Sequence, residues 1–241
     1  MIVAFVVLAL GYMRGWRCLR STSAQPIAAW RAGSFLTGVF LVWVALGSPL
    51  VAYDHHLLTV HMIQHLLLMT VAPGLILLGE PLRAFLPQRR VAQRFGPSMP
   101  GLVLCWTVSA LTLVGWHVPA VFTRAMQSDL WHSVEQSSFL SAGLLFWWPV
   151  VRPWPSVSTG PQWSTLLYLF LATLPCDLLS GFLVFSDRVA YPLYFSMPRH
   201  VGFSVLEDQQ CAAALMWTCV TVIYLVPAAI LSTRLLSPRS L

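Results

Sequence analysis

The sequence predicts an all-α membrane protein, a polytopic bundle of seven transmembrane helices forming one domain over residues 1–241. Three observations carry that prediction. Hydrophobic residues make up 57% of the chain and charged residues only 9%, with a mean hydropathy of +0.72, too little charge to cover a soluble surface. Apolar runs close to the roughly 20 residues that cross a bilayer recur along the chain. Arginines gather in alternate connections between those runs, the asymmetry that marks cytoplasmic loops.

The first run, residues 1–13, is apolar but short, and tilt or local bilayer thinning completes it as a span. A signal peptide fits it less well, because no basic residue precedes it and no small-residue cleavage site follows. Arg14, Arg17, Arg20 and Arg31 occupy the first connection. Runs at 35–53 and 57–78 give the second and third spans, and Arg83, Arg89, Arg90 and Arg94 follow them. The remaining spans are 102–117, 130–151, 163–185 and 211–231. With the two arginine-rich connections cytoplasmic, Arg152, Arg234 and Arg239 also fall inside, and only Arg124, Arg188 and Arg199 fall outside. The N-terminus is then outside and the C-terminus cytoplasmic, in a multi-pass protein of the cell's inner (plasma) membrane.

All 14 basic residues are arginine, so no lysine is present to form a retinal Schiff base. The loop arginines account for the pI of 9.4, with the lipid bilayer as the partner and no reason to invoke nucleic acid. No linker, repeat or low-complexity tract divides the chain. The five cysteines form no CxxC pair, and Cys211 reads as a small buried apolar residue rather than a thiolate ligand. Nucleotide-binding loops, a nucleophile elbow and an HExxH helix are missing.

His61 and His65 sit one helical turn apart in an otherwise apolar span, an expensive arrangement that points to a metal or haem. The orientation gathers further polar residues in the same outer half. Asp54, His55 and His56 precede the third span, His117 ends the fourth, His132 and Glu135 begin the fifth, and Asp208, Gln209 and Gln210 open the seventh. At about 1.5 Å per residue, His65 lies roughly 12 Å below Leu57 and Met216 a similar depth below Asp208, so the two can meet. Imidazole with thioether is a copper donor set, which makes His61, His65, His117, His132 and Met216 the candidate metal ligands. His55 and His56 are weaker candidates, and His200 reads as solvated. Met62, Met69 and Met126 read as pliant packing. Glu135 either orients an imidazole or caps its helix, and Asp208 either joins the site or stabilises a helix N-terminus.

Taken together, the runs YMRGWRCLR, SPLVAYDHHLLTVHMIQHLLLMTVAPGLILLGEP, WHVPAVF, WHSVEQSSFLSAGLLFWWPV and LEDQQCAAALMW resemble, in order and over nearly the whole chain, the blocks of the CtaG membrane proteins. Those proteins are assembly factors of caa-type cytochrome c oxidases. The resemblance implies a seven-helix, non-enzymatic factor that supports maturation of the oxidase copper centre, with copper-B of subunit I as its target and subunit I as its partner. It places the family's motif histidines at His61, His65, His117 and His132, accompanied by Glu135, Asp208 and Gln209. Gln136 stands where the family commonly carries a second histidine in this span, Phe122 replaces a usual tyrosine, and Cys211-Ala212-Ala213 replaces a glycine-rich step. An unrelated single-span copper chaperone that shares the family's name matches neither the span count nor the cysteine pattern. From the residues themselves three classes stay open: a copper-handling assembly factor, a haem-binding electron carrier, and a zinc hydrolase. Haem requires histidines on facing helices, and the hydrolase requires Glu135 or Asp208 beside the histidines as a general base.

Overall fold

A computed structural model describes residues 2–22, 26–86, 99–151, 162–198, 202 and 204–236. His200 and the arginines at 89, 90, 94, 152, 199 and 239 lie outside these residues. Ten α-helices run through the described part, with no strand among the described residues: α1 Ile2–Thr22, α2 Ala29–Gly47, α3 Leu58–Leu66, α4 Ala72–Leu78, α5 Pro81–Phe85, α6 Met99–Trp116, α7 Pro119–Met126, α8 Asp129–Val151, α9 Gln162–Val184 and α10 Val205–Leu236.

Among the described residues, five stretches are long and apolar enough to cross a membrane: Ile2–Ser21, Ala29–Ala52, Leu58–Leu78, Trp163–Val184 and Val205–Leu236. A sixth candidate is the pair Gly101–Trp116 and Pro119–Met126, bent by 74°. That bend falls where Pro119 removes an amide donor and biases Val118 toward extended backbone, at φ −65° and ψ 123°. The stretch 130–151, expected as a span, is helical as α8, whose 23 residues give about 34 Å of helix, but it is not among these candidate spans. Its first half carries His132, Ser133, Glu135, Gln136, Ser137 and Ser138, so it lacks the apolar character of the other five and is instead packed among α4, α6 and α7.

The first helix is longer than its apolar run. Arginine is a good helix former, so α1 continues through Arg14, Arg17 and Arg20, which ride on its last turns rather than in a loop. Tyr12 donates to the Gly79 carbonyl (2.7 Å) and Trp16 to that of Ile27 (3.0 Å), tying this end of α1 to the end of α4 and to the connection before α2. Arg31 pairs with Glu80 at 2.8 Å, and Arg83 pairs with the same carboxylate at 3.1 Å. Arg14, Arg17, Arg20, Arg31, Arg83 and Arg234 thus mark one end of the bundle, and Arg124 and Arg188 the other.

The third span is not a uniform α-helix. Pro73 has no amide hydrogen to give the Met69 carbonyl, and its ring crowds that carbonyl. A π-turn over Leu67–Val71 absorbs the conflict, with Ala72 N bonding Leu67 O, five residues back. Gly143 of α8 packs against the Met69 carbonyl that Pro73 leaves without its donor: a Cβ on Gly143 would sit 2.5 Å from Met69 O and 2.9 Å from Met69 Cα. Gly143 therefore sets how near α8 lies to the histidine-bearing helix. Gln64 donates to Ala45 O (3.1 Å) and secures α3 to α2.

Candidate metal centre

Residues from three segments meet at the end of the bundle opposite the arginine-rich one. Asp54 and His55 come from the connection between α2 and α3, His61 and His65 from the first turns of α3, and His132 and Glu135 from the first turns of α8. Asp208 fixes the start of α3 by accepting from Leu58 N (2.8 Å), Thr59 N (3.1 Å) and Thr59 Oγ1 (2.7 Å). The two amides are orphan donors at a helix N-terminus. Gln209 accepts from Ala190 N (2.7 Å) and donates to Leu183 O (3.4 Å) and Arg188 O (3.3 Å). Both residues are thus occupied in holding segments together.

Glu135 occupies the middle of the cluster. One of its oxygens is 3.6 Å from His61 Nε2 and 3.7 Å from His65 Nε2, and the other is 4.0 Å from His132 Nε2. Asp54 lies on the far side of His132, with its oxygens 3.7 Å from His132 Nε2 and 3.6 Å from His55 Nε2. These separations are too long for hydrogen bonds, but close to the roughly 3.3 Å edge of a tetrahedron of donors about 2.0 Å from a metal. Phe139, 4.0 Å from the His65 ring, and Phe122, 5.2 Å from that of His61, supply apolar walls.

Burial makes the arrangement costly without a partner. Glu135 and Asp54 are both 0% exposed, and neither carboxylate accepts a hydrogen bond. All four ring nitrogens of His61 and His65 are equally unpartnered. A carboxylate removed from water with no donor costs several kcal/mol, and a cation with exchangeable ligand positions relieves it. The donor chemistry, imidazole with carboxylate, fits a borderline divalent ion such as zinc or copper(II).

Two sequence-predicted ligands sit apart from this cluster. His117 has its Nδ1 2.7 Å from Leu113 O, the carbonyl one turn back, and its ring is 6.4 Å from that of His65. Met216 reaches the depth of His65 as its helical rise requires. It meets it across a cavity of about 40 Å³ also lined by Met62, Met69 and His117, not beside Glu135. Cys211 is exposed, not a buried apolar residue, because its position on α10 points out of the bundle. Asp54 joins the site although the sequence marked it only as polar, and His55 joins it although ranked low; an acidic residue abutting two histidines at the mouth of a span was the available signal. Gln136 lies one turn beyond His132, its amide nitrogen 3.3 Å from His132 Nε2.

The segment after α9 closes over the cluster. Tyr194 donates to Asp54 O and Tyr191 to His117 O, each at 3.1 Å. Burial, reinforced for Tyr194 by the Asp208, Asp54 and Glu135 carboxylates, pushes both phenols upward, so they remain neutral donors.

Residues 10–237 match the family of cytochrome c oxidase caa3 assembly factors, and the chain belongs to that family. Similar proteins include uncharacterized proteins of Mycobacterium bovis and Mycobacterium tuberculosis, each 26% identical over 238 residues covering 89% of this chain and 35% of theirs. Another from Mycobacterium leprae is 23% identical over 88% of this chain and 35% of its own length. The chain thus spans about a third of the length of these relatives. No solved structure matches it.

Proposed function

We propose that this caa3 assembly factor carries a copper ion on His61, His65 and Glu135 and passes it to the copper-B centre of oxidase subunit I, without catalysing a reaction. The observation that carries the reading is the buried, unpartnered Glu135 carboxylate between two unpartnered imidazoles, in a chain whose family assembles a copper-containing oxidase. His132 stands next to that group as a further ligand. The cavity bearing Met216, Met62 and Met69 offers softer thioether donors beside His65, as copper(I) prefers.

The topology that goes with this reading has seven spans, with α8 and the bent α6–α7 pair counted among them. The arginine-rich end is cytoplasmic, the N-terminus is outside, and the metal centre lies in the outer half of the plasma membrane. Six described arginines at one end against two at the other support it. An ion cannot diffuse through lipid to a buried oxidase centre, so carrier and subunit I meet side by side in the bilayer.

A zinc hydrolase is the second reading, favoured by Glu135 standing beside both histidines as a general base would. Haem is disfavoured by the cavity of about 40 Å³ between His65 and His117, against the hundreds of Å³ that hold a cofactor-sized ligand. Metal analysis of the purified protein, paired with oxidase assays in a deletion strain, tests the proposal. Copper in the protein and an inserted but copper-poor oxidase in the strain are expected. A fully active, copper-replete oxidase in the deletion strain under copper limitation refutes it, and zinc with hydrolytic turnover promotes the second reading.

A further inference from the structure

The carboxylates and imidazoles form two groups of three, not one group of six. The donor atoms of His61, His65 and Glu135 lie within 4.8 Å of one another, and so do those of Asp54, His55 and His132. His132 Nε2 stands between the groups, 4.0 Å from Glu135 Oε2, and an ion that takes about four ligands cannot engage all six side chains, so one ion leaves donors of one group unused. We infer that Asp54, His55 and His132 hold a second metal ion beside the one at His61, His65 and Glu135; this rests on the metal-binding reading above.

Asp54 is the observation that demands it. The side chain is 0% exposed, both oxygens lack a donor, and each oxygen faces a different imidazole, one toward His55 and one toward His132. An ion in the inner group leaves this second carboxylate uncompensated. Two imidazoles and a carboxylate suit zinc(II) or copper(II), in contrast to the thioether-lined cavity deeper in the bundle.

The outer group also has the only route to water among the six side chains. His55 is 37% exposed, whereas His61, His65, Asp54 and Glu135 are at most 5% exposed and His132 is 10% exposed. His132 touches both groups, 3.7 Å from Asp54 and 4.0 Å from Glu135. A divalent ion is therefore loaded at the outer group from the aqueous side and moves inward past the His132 ring.

The test uses the full chain in lipid nanodiscs, stripped of metal and then equilibrated with zinc(II) or copper(II), with metal per chain measured by mass spectrometry. Two ions per chain are expected for the unaltered protein, and one for His55→Ala or Asp54→Asn. The double change His61→Ala with Glu135→Gln also retains one, held by the outer group. Copper(II) loading gives a spin-coupled resonance spectrum in the unaltered protein and an isolated-ion spectrum in His55→Ala. One ion per chain, indifferent to His55→Ala and Asp54→Asn but lost with the inner double change, overturns the second ion and leaves the carrier reading standing. No bound ion in any form overturns both. If Asp54→Asn does not fold, His55→Ala decides, because that partly exposed ring contributes little to packing.

Discussion

Replacing Glu135 with glutamine keeps its shape and removes its charge, which separates a metal ligand from a structural ion pair. In the metal-free protein the unaltered carboxylate is buried with no donor. Its neutral isostere is therefore expected to leave stability unchanged or raised, as when buried charges are exchanged for neutral groups. With metal at about 100 times Kd, the unaltered protein gains about 2.7 kcal/mol from binding. If the change weakens binding about 100-fold, the variant gains only about 0.4 kcal/mol at the same concentration. That difference corresponds to about 5–9 °C in the metal-dependent shift of the unfolding midpoint for a chain of this size. Thermal unfolding in detergent, with and without zinc(II) or copper(II), measures it. A metal-free variant destabilised by about 3–5 kcal/mol, with its metal-dependent shift intact, refutes the reasoning and makes Glu135 the partner of a charged histidine.

Gly143→Ala places a methyl 2.5 Å from Met69 O and is expected to push α8 from α3, costing about 1–3 kcal/mol by overpacking and lowering metal occupancy. Gly33→Ala, with nothing within 4 Å, is the control, and equal behaviour of the two variants refutes the close-approach argument. Asp208→Ala removes the acceptor at the start of α3 and is expected to cost about 1–2 kcal/mol while metal per chain stays unchanged at saturating metal. A lost metal equivalent at saturation in that variant makes Asp208 part of the site. Metal retention is expected to fall as pH is lowered, because ligation needs neutral imidazole and protons compete for the same lone pairs. Retention that is flat from pH 8 to pH 5 in an equilibrium dialysis experiment argues against histidine ligation.

Helices were the most legible part of the sequence because apolar run length reports them directly. Where the boundaries moved, hydropathy and helix propensity had diverged: α1 continues through arginines that end its apolar run, and α10 begins six residues earlier, at Val205, through polar residues that cap and anchor it. His61 and His65 were legible from their spacing, since one turn separates them on a single face. The pairing of Glu135 with them was not, because it depends on how closely α8 approaches α3, and Gly143 and the π-turn at Met69 become informative only when apposed. Asp54 and His55 carried no periodic signal in a loop, and their role follows from the fold that brings His132 to them. Asp208 kept both readings open in the sequence; its three accepted hydrogen bonds show what it does at the start of α3, which the sequence alone could not pair with it.

The polar first half of α8 also bears on how the protein is made. A segment with Glu135 and His132 in its first turns partitions poorly into lipid by itself, since an acidic side chain adds up to about 3 kcal/mol to insertion at a helix centre and less toward its ends. Its compensating groups lie on α3, synthesised some 70 residues earlier and already available when α8 leaves the translocation channel. In the seven-span topology proposed above, integration of α8 is a templated event: the nascent chain supplies its own docking groove, and a fault in α3 is felt as failed insertion of a helix that the fault does not touch.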